Sequence, residues 1–229
     1  MLQKKSKPWL HKLRIVQLFE ADFNSVLKFL LGRRLMAHSE LHGLNTPQLY
    51  GSRKNKSALE ALIMLRVLYD MARMDRVFMV SLFNDLKGCY DRIRPSLNTI
   101  TLRRMGCPRG VAICQAETLR KMKHAIKTTY GITCETISAD GDNKLGGIGQ
   151  GSGEGPVSWH SQMLALIDSY EELIPHRAFF TSPDKTLKIT QWLVGFVDDN
   201  TIVFTIKDPL FARDNIQNLF NMANECLEV

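Results

Sequence analysis

Trp192-Leu193-Val194-Gly195-Phe196-Val197-Asp198-Asp199-Asn200-Thr201-Ile202-Val203-Phe204 is the stretch whose reading decides the fold. Two apolar runs, rich in β-branched and aromatic side chains, flank Asp198, Asp199 and Asn200, residue types that favour tight turns. The pattern predicts a hairpin that carries two adjacent carboxylates at the tip of a stiff hydrophobic scaffold. Such a tip can present divalent metal to a phosphate. Asp-Asp-Asn is equally ordinary hairpin chemistry, because these side chains hydrogen-bond their own backbone in turns. The pair alone does not separate the two readings. A third carboxylate and a nucleotide-sized site elsewhere in the chain would.

Asp85 is the candidate for that third acid. It closes the apolar run Val77-Phe78-Met79-Val80-Ser81-Leu82-Phe83, which reads as a buried strand. An acid in this place also suits the cap of a following helix. If the two strands are neighbours in one sheet, Asp85 and Asp198 meet despite their separation in sequence. A cluster of this kind binds two metal ions roughly 3.5–4 Å apart, which activate an attacking hydroxyl and stabilise a leaving pyrophosphate. Mg2+ takes a few carboxylates and completes its shell with substrate phosphates, so three acids suffice.

The 229 residues are enough for one large domain or two interlaced subdomains with a core. A net charge of +7 points to polyanionic partners, nucleic acid or an anionic membrane surface, and suits a merely basic soluble protein equally well. No apolar run reaches the roughly 18 residues of a membrane span. The basic N-terminus lacks the apolar core of a secretory signal, so an intracellular protein, nuclear or cytoplasmic, is expected. Cys89, Cys107, Cys114, Cys134 and Cys226 are scattered and form no Cys-x-x-Cys pair, against both a disulfide framework and structural zinc. His38 and His42 lack the His-Glu-x-x-His pattern and read as helix-surface residues.

Outward from the hairpin, residues 13 to 18 read as a strand and residues 20 to 42 as a helix, with Phe23, Val26, Leu27, Leu30, Leu31 and Leu35 at helical spacing. The basic loop with Arg53, Lys54 and Lys56 suits either nucleic acid or a solvated turn. Ser57 and Glu60 form a capping box, opening a helix to about Met74 with Leu62, Leu65, Leu68 and Tyr69 on its buried side. A helix is expected from about 110 to 128, another from 156 to 173, and a last one from Asp208-Pro209 toward Glu228. Gly147-Ile148-Gly149-Gln150-Gly151-Ser152-Gly153-Glu154-Gly155-Pro156 is a Gly-rich lead into a helix, suited to close backbone approach and to anions. It is neither a Walker A loop nor a dinucleotide fingerprint. Asp140-Gly141-Asp142-Asn143 is not a calcium loop, since Lys144 and Leu145 stand where ligand and glycine are needed. The class is α+β or mixed α/β.

These residues resemble the fingers and palm of reverse transcriptases (RNA-directed DNA polymerases), especially those of retrotransposons and other mobile elements. Leu13-Arg14-Ile15, Asp22-Phe23-Asn24 and Arg34-Leu35 are similar to early fingers segments, and Gly51 to Ser57 with Ala61-Leu62 to the loop and helix after them. Asp85 to Asp91 resembles motif A, Gln150-Gly151 with Pro156 motif B, and Phe196-Val197-Asp198-Asp199 motif C. The resemblance covers roughly residues 10 to 206. It implies an α+β unit with an antiparallel palm sheet packed on helices: residues 1–76 as first fingers part, 77–105 as palm with motif A, 106–146 as connection, and 147–229 as palm with motifs B and C.

It also implies roles. Asp85, Asp198 and Asp199 hold two Mg2+ ions, with Mn2+ a possible substitute. Tyr90 packs under the sugar and excludes a 2′-hydroxyl. Gln150 and Gly151 lie against the incoming nucleotide and template base. Arg14 meets the triphosphate, with its companion lysine open among Lys5, Lys7 and Lys12. Partners are an RNA template, a DNA primer and deoxynucleoside triphosphates, with no membrane. The motif B stretch departs from the common Gln-Gly-x-Pro-Leu-Ser-Pro form by its extra glycines and by Glu154. Thumb and primer grip are expected to be absent. That leaves a non-catalytic nucleic-acid-binding remnant, or an RNA-templated RNA polymerase sharing the palm, as rival readings.

Overall fold

The structure, a computed structural model, describes residues 2–3, 13–14, 16–86, 88–138, 147–173, 180–182, 184–206, 217–218 and 221, with backbone alone for 2, 3, 13, 14 and 173. The strands Leu193–Phe196 and Asp199–Ile206 form the hairpin, antiparallel, with Leu193 opposite Ile202 and Phe196 opposite Asp199. Its tight turn therefore consists of Val197 and Asp198. The sequence reading placed Asp199 and Asn200 in the turn; they are instead the first residues of a strand. The cause lies across the sheet. The strand Phe78–Asp85 pairs antiparallel with Asp199–Ile206 along its whole length, Asp199 opposite Asp85 and Ile206 opposite Phe78. That ladder draws Asp199 and Asn200 into extended backbone, and Asn84 Nδ2 donates to Asn200 Oδ1 at 3.1 Å beside it.

The Asp199–Ile206 strand is thus central in a three-stranded sheet. Ile202, Val203 and Phe204 are buried along it, beside Leu193 and Trp192, and Trp192 meets Tyr170 edge-on at 6.3 Å. Phe78–Asp85, read from sequence as a buried strand, is half-exposed, with Phe78 and Phe83 open to solvent. It is the outer strand of the described sheet and has a ladder neighbour on one side only. On the opposite border Leu49 forms a parallel bridge to Gly195.

The helix Ala58–Asp75 begins on the expected capping box: Ser57 Oγ accepts from Glu60 N at 3.3 Å, and Ser57 N donates to Glu60 Oε2 at 2.7 Å. Its buried residues are Ala61, Leu68 and Ala72, while Leu62, expected inside, is exposed. The true stripe runs i, i+7, i+11 through two alanines, which a search for large apolar residues passes over. Tyr69 hydroxyl reaches Ser81 Oγ at 3.3 Å.

By contacts the chain forms two units, Asn45–Lys87 with Gln162–Val229, which holds the sheet just described, and Met1–Leu44 with Gly88–Ser161. The latter is mostly helical. Residues 21–41 form one helical run, with a wider π-turned segment Lys28–Arg34 between Ala21–Leu27 and Leu35–Leu41. Cys89–Arg92, Pro95–Arg104 and Arg109–Lys121 follow. Pro95–Arg104 was not foreseen, although it starts with proline in its first turn. The helix expected to 128 stops at Lys121. Beyond it Ile126, Thr128 and Thr129 favour extended backbone, and Lys123–His124 pairs with Ile137–Ser138, Lys127–Thr128 with Gly131–Ile132. Of the strand expected over 13–18, Leu13–Arg14 pairs with Leu2–Gln3, and 16–18 form no strand among the described residues. The helix Gly155–Leu173 contributes its first turns, to Ser161, to this unit and the remainder to the sheet unit. Of the helix expected from Asp208, residues 217, 218 and 221 are helical and the others lie outside the described residues.

The architecture is α+β, mixed helices with antiparallel sheets, as expected. Among the described residues no helix is long and apolar enough to cross a membrane. Replacing Ser57 by Ala removes the cap of the helix against the sheet and should destabilise the fold by about 1 kcal/mol in urea unfolding. Unchanged stability would mean the box is dispensable there.

Candidate functional site

Asp85, Asp198 and Asp199 sit at one end of the three-stranded sheet. Backbone register places two of them: Asp85 and Asp199 are directly opposed and share a face. The turn places the third, and Leu86 N donates to Asp198 O at 3.1 Å, tying the turn to the end of the Asp85 strand. Like charges directly opposed across a ladder are destabilising. The Asp199 carboxyl is raised above its ordinary value, first by desolvation and then by the charges of Asp198 and Asp85. Among the described residues no Lys, Arg or His forms an ion pair with any of the three.

The donor set is all oxygen and anionic, which suits a hard divalent cation. Among the described residues no group of three or more His, Cys, Asp or Glu side chains is placed to hold a metal ion. Three acids at one end of a sheet do not make a closed protein cage; a cation there would need oxygens of another molecule to complete its shell. The His38 and His42 rings lie tilted to one another, centroids 4.3 Å apart, on an exposed helix face, and Cys89, Cys107, Cys114 and Cys134 form no disulfide.

The other candidate residues belong to the helical unit. Ile148 N donates to Tyr90 O at 2.9 Å, and Gln150 Nε2 donates to Asp91 Oδ2 at 3.3 Å, so the Gly-rich loop is bonded to the Tyr90 segment at two successive residues. The Tyr90 ring lies against Gly155 and packs on the cluster of Ile93, Leu119 and Ile148. Gly151 has φ +124°, and a Cβ there would collide with the Gln17 carbonyl. Its glycine character is therefore required by protein packing, whatever else approaches it. Arg14 has its backbone paired with Leu2, and its side chain, like Lys5, Lys7 and Lys12, lies outside the described residues. Of the basic loop, Arg53 turns inward and donates to Thr46 O at 2.7 Å and Leu49 O at 3.0 Å, while Lys56 Nζ stands 5.3 Å over the Tyr50 ring.

Glu154, in sequence only an extra acid, is the most perturbed group of this unit. It is fully buried, accepts from Gln115 Nε2 at 2.9 Å through Oε1, and its Oε2 has no hydrogen-bond partner among the described residues. Burial pushes its carboxyl up to about 7, the Gln115 bond opposing this in part. Burial of Cys107, and secondarily the charge of Glu154, raises the Cys107 thiol. The signal in sequence was an acid at the entrance of an otherwise apolar helix.

No protein-family model matches this sequence, and comparison with curated proteins returns no match. Among solved structures the chain is similar to telomerase from Candida albicans, solved with a fragment of telomeric RNA, at 14% identity and a TM-score of 0.50, covering 90% of this chain and 33% of that one. Apo telomerase from Candida tropicalis is more distant, TM-score 0.44 at 14% identity, over 86% of this chain and 32% of that one. The likeness is one of fold, and the chain spans about a third of the telomerase chains it matches.

Glu154 also sets a pH dependence. Its folded value is above its unfolded one, so its contribution to stability is present below about pH 4.5 and is lost as pH rises through about 7. The loss is on the order of 3 kcal/mol. The thermal stability of the unsubstituted chain should therefore fall between pH 5 and 8, and Glu154→Gln should flatten that slope and raise stability at pH 8.

Proposed function

We propose that this chain is the fingers–palm part of a reverse transcriptase that transfers a deoxynucleotide to a primer 3′-hydroxyl, with release of pyrophosphate. The observation that carries the reading is the register of the sheet, which sets Asp85 opposite Asp199 and Asp198 in the adjoining turn. A fold like that of telomerase, itself a reverse transcriptase, supports it. The order of motif A, B and C residues supports it independently, and the mobile-element assignment rests on those motifs alone.

In this reading Asp85, Asp198 and Asp199 hold two Mg2+ ions, which when bound lower the barrier to attack by a hydroxyl and to departure of pyrophosphate. The protein's own contribution is placement. Two carboxylates are fixed by main-chain pairing instead of by flexible side chains, and a third by a two-residue turn. A bound cation would offset their repulsion, and the ladder holds the acids in position for it. Tyr90 takes the role of the aromatic that screens the sugar, anchored by its packing on Ile93 and Ile148. Gln150, held by Asp91, and Gly151 take the nucleotide- and template-facing roles. Arg14 takes the triphosphate. RNA template, DNA primer and deoxynucleoside triphosphates are the partners.

With Mg2+ or Mn2+ the chain should extend a DNA primer on an RNA template, and Asp198→Ala or Asp85→Ala should lower the rate at least about a hundredfold. Equal extension by the parent and Asp198→Ala would overturn the polymerase reading. Tyr90→Ala should raise ribonucleotide use relative to deoxynucleotide use by about tenfold. A parent chain that incorporates both equally well would point to an RNA-templated RNA polymerase.

A further inference from the structure

We propose that residues 48–53 form a bracket that sets the backbone of the carboxylate turn, with Gly51 as the positioning residue. The inference rests on the metal-binding reading of Asp85, Asp198 and Asp199. It starts from a conformational anomaly. Val197 has φ +57°, in the left-handed region that β-branched side chains avoid. As first central residue of a two-residue hairpin turn with positive φ, it occupies the place where glycine is ordinary. A strained residue persists only where its surroundings over-determine it.

Two sets of contacts do so. The ladder holds both flanks of the turn, Phe196 opposite Asp199 and Leu86 N bonded to Asp198 O. The second set comes from the loop before the capped helix. Gly195 N donates to Gln48 O at 2.9 Å, and Tyr50 N donates to Gly195 O at 2.8 Å, two residues ahead of Val197. The next residue, Gly51, then runs directly against the turn. A Cβ on Gly51 would lie 2.5 Å from Val197 N, 3.0 Å from its Cγ2 and 3.3 Å from its Cα. No other residue type allows the two backbones this close. Arg53 ties the bend together by donating to the carbonyls of Thr46 and Leu49. The basic loop that invited a nucleic-acid reading is therefore, at Arg53, a clamp on the strand segment that braces the metal-binding turn. Moving Gly51 outward by the width of a methyl group displaces Val197, and with it the two carboxylates that follow.

The test compares the parent chain, Gly51→Ala, Arg53→Gln and the double variant Gly51→Ala/Val197→Gly in primer extension over a range of Mg2+ concentrations. Gly51→Ala should raise the Mg2+ concentration for half-maximal rate by about tenfold or more, with the KM for deoxynucleotide little changed. Adding Val197→Gly, which frees the turn to yield to the new methyl, should return most of that shift. Arg53→Gln adds no bulk and should shift the Mg2+ dependence in the same direction, so the proposal stays testable if Gly51→Ala does not fold. Wild-type Mg2+ dependence in Gly51→Ala, or in Arg53→Gln when Gly51→Ala does not fold, overturns the bracket. A defect that Val197→Gly leaves in place does so as well. Amide hydrogen exchange separates this from the polymerase reading. Arg53→Gln should speed exchange at residues 197–199 and leave Arg109–Lys121 unchanged. If the parent chain extends no primer, the polymerase reading fails alone, and the bracket is overturned only if exchange at 197–199 is also unaltered.

Discussion

Everything at the candidate site depends on one constraint, the main-chain register between Phe78–Asp85 and Asp199–Ile206. Side chains alternate faces along a strand, so a one-residue slip would send Asp199 to the opposite face from Asp85 and take each residue of the central strand off the neighbours it packs against. The slip is opposed by burial. Ile202, Val203 and Phe204 leave no more than 2% of their surface exposed. The amide contact between Asn84 and Asn200 adds a polar pin at the same end of the ladder. Hydrophobic burial in the body of the sheet thereby sustains an electrostatic repulsion at its rim. That division of labour is what a site needs if its charges are to be neutralised by a ligand instead of by the protein.

The helical unit shows the reverse arrangement, with polarity inside. Asn98, Thr101, Gln115, Glu154, Ser158 and Ser161 are all buried, and they bond across helices: Thr101 hydroxyl with Ser161 hydroxyl at 2.9 Å, Asn98 with Ser158 at 3.4 Å, Gln115 with Glu154 at 2.9 Å. Buried polar groups demand partners in defined geometry, so such a seam fixes how the helices register even where it adds little net stability. Asn98 Oδ1, Gln115 Oε1 and Glu154 Oε2 have no hydrogen-bond partner among the described residues, and burial pushes the Glu154 carboxyl up to about 7. The departure from the common motif B spelling is thus an interior feature of this unit.

Much of the local structure was legible from residue types. The capping box at Ser57 and Glu60 works through contacts three residues apart, and the helix from residue 155 to 173 follows from its own spacing. The hairpin followed from its flanking runs. The errors share a cause. Asp199 and Asn200 read as turn residues because their intrinsic preference is for turns, and pairing with a strand more than a hundred residues away overrode it. Leu62 read as buried because leucine usually is, while the helix turned its alanines inward. The helix past Lys121 was extended by spacing although β-branched residues beyond it favoured pairing. Arg53 was open between nucleic acid and a solvated turn, and it bonds two main-chain carbonyls.

The sequence by itself determined the chemistry on offer: three carboxylates at the ends of apolar strands, an aromatic after the first of them, and a glycine-rich loop. These are properties of residue type and local spacing, and local spacing is what one chain of letters records. Tertiary structure alone decided which carboxylates oppose one another, that the turn rests on a strained valine, and that a loop glycine from residues 48–53 braces it. It also decided that Glu154 is buried. Each of these is set by long-range ladder pairing or by close packing between distant segments, where the energy belongs to the contact and to neither segment separately.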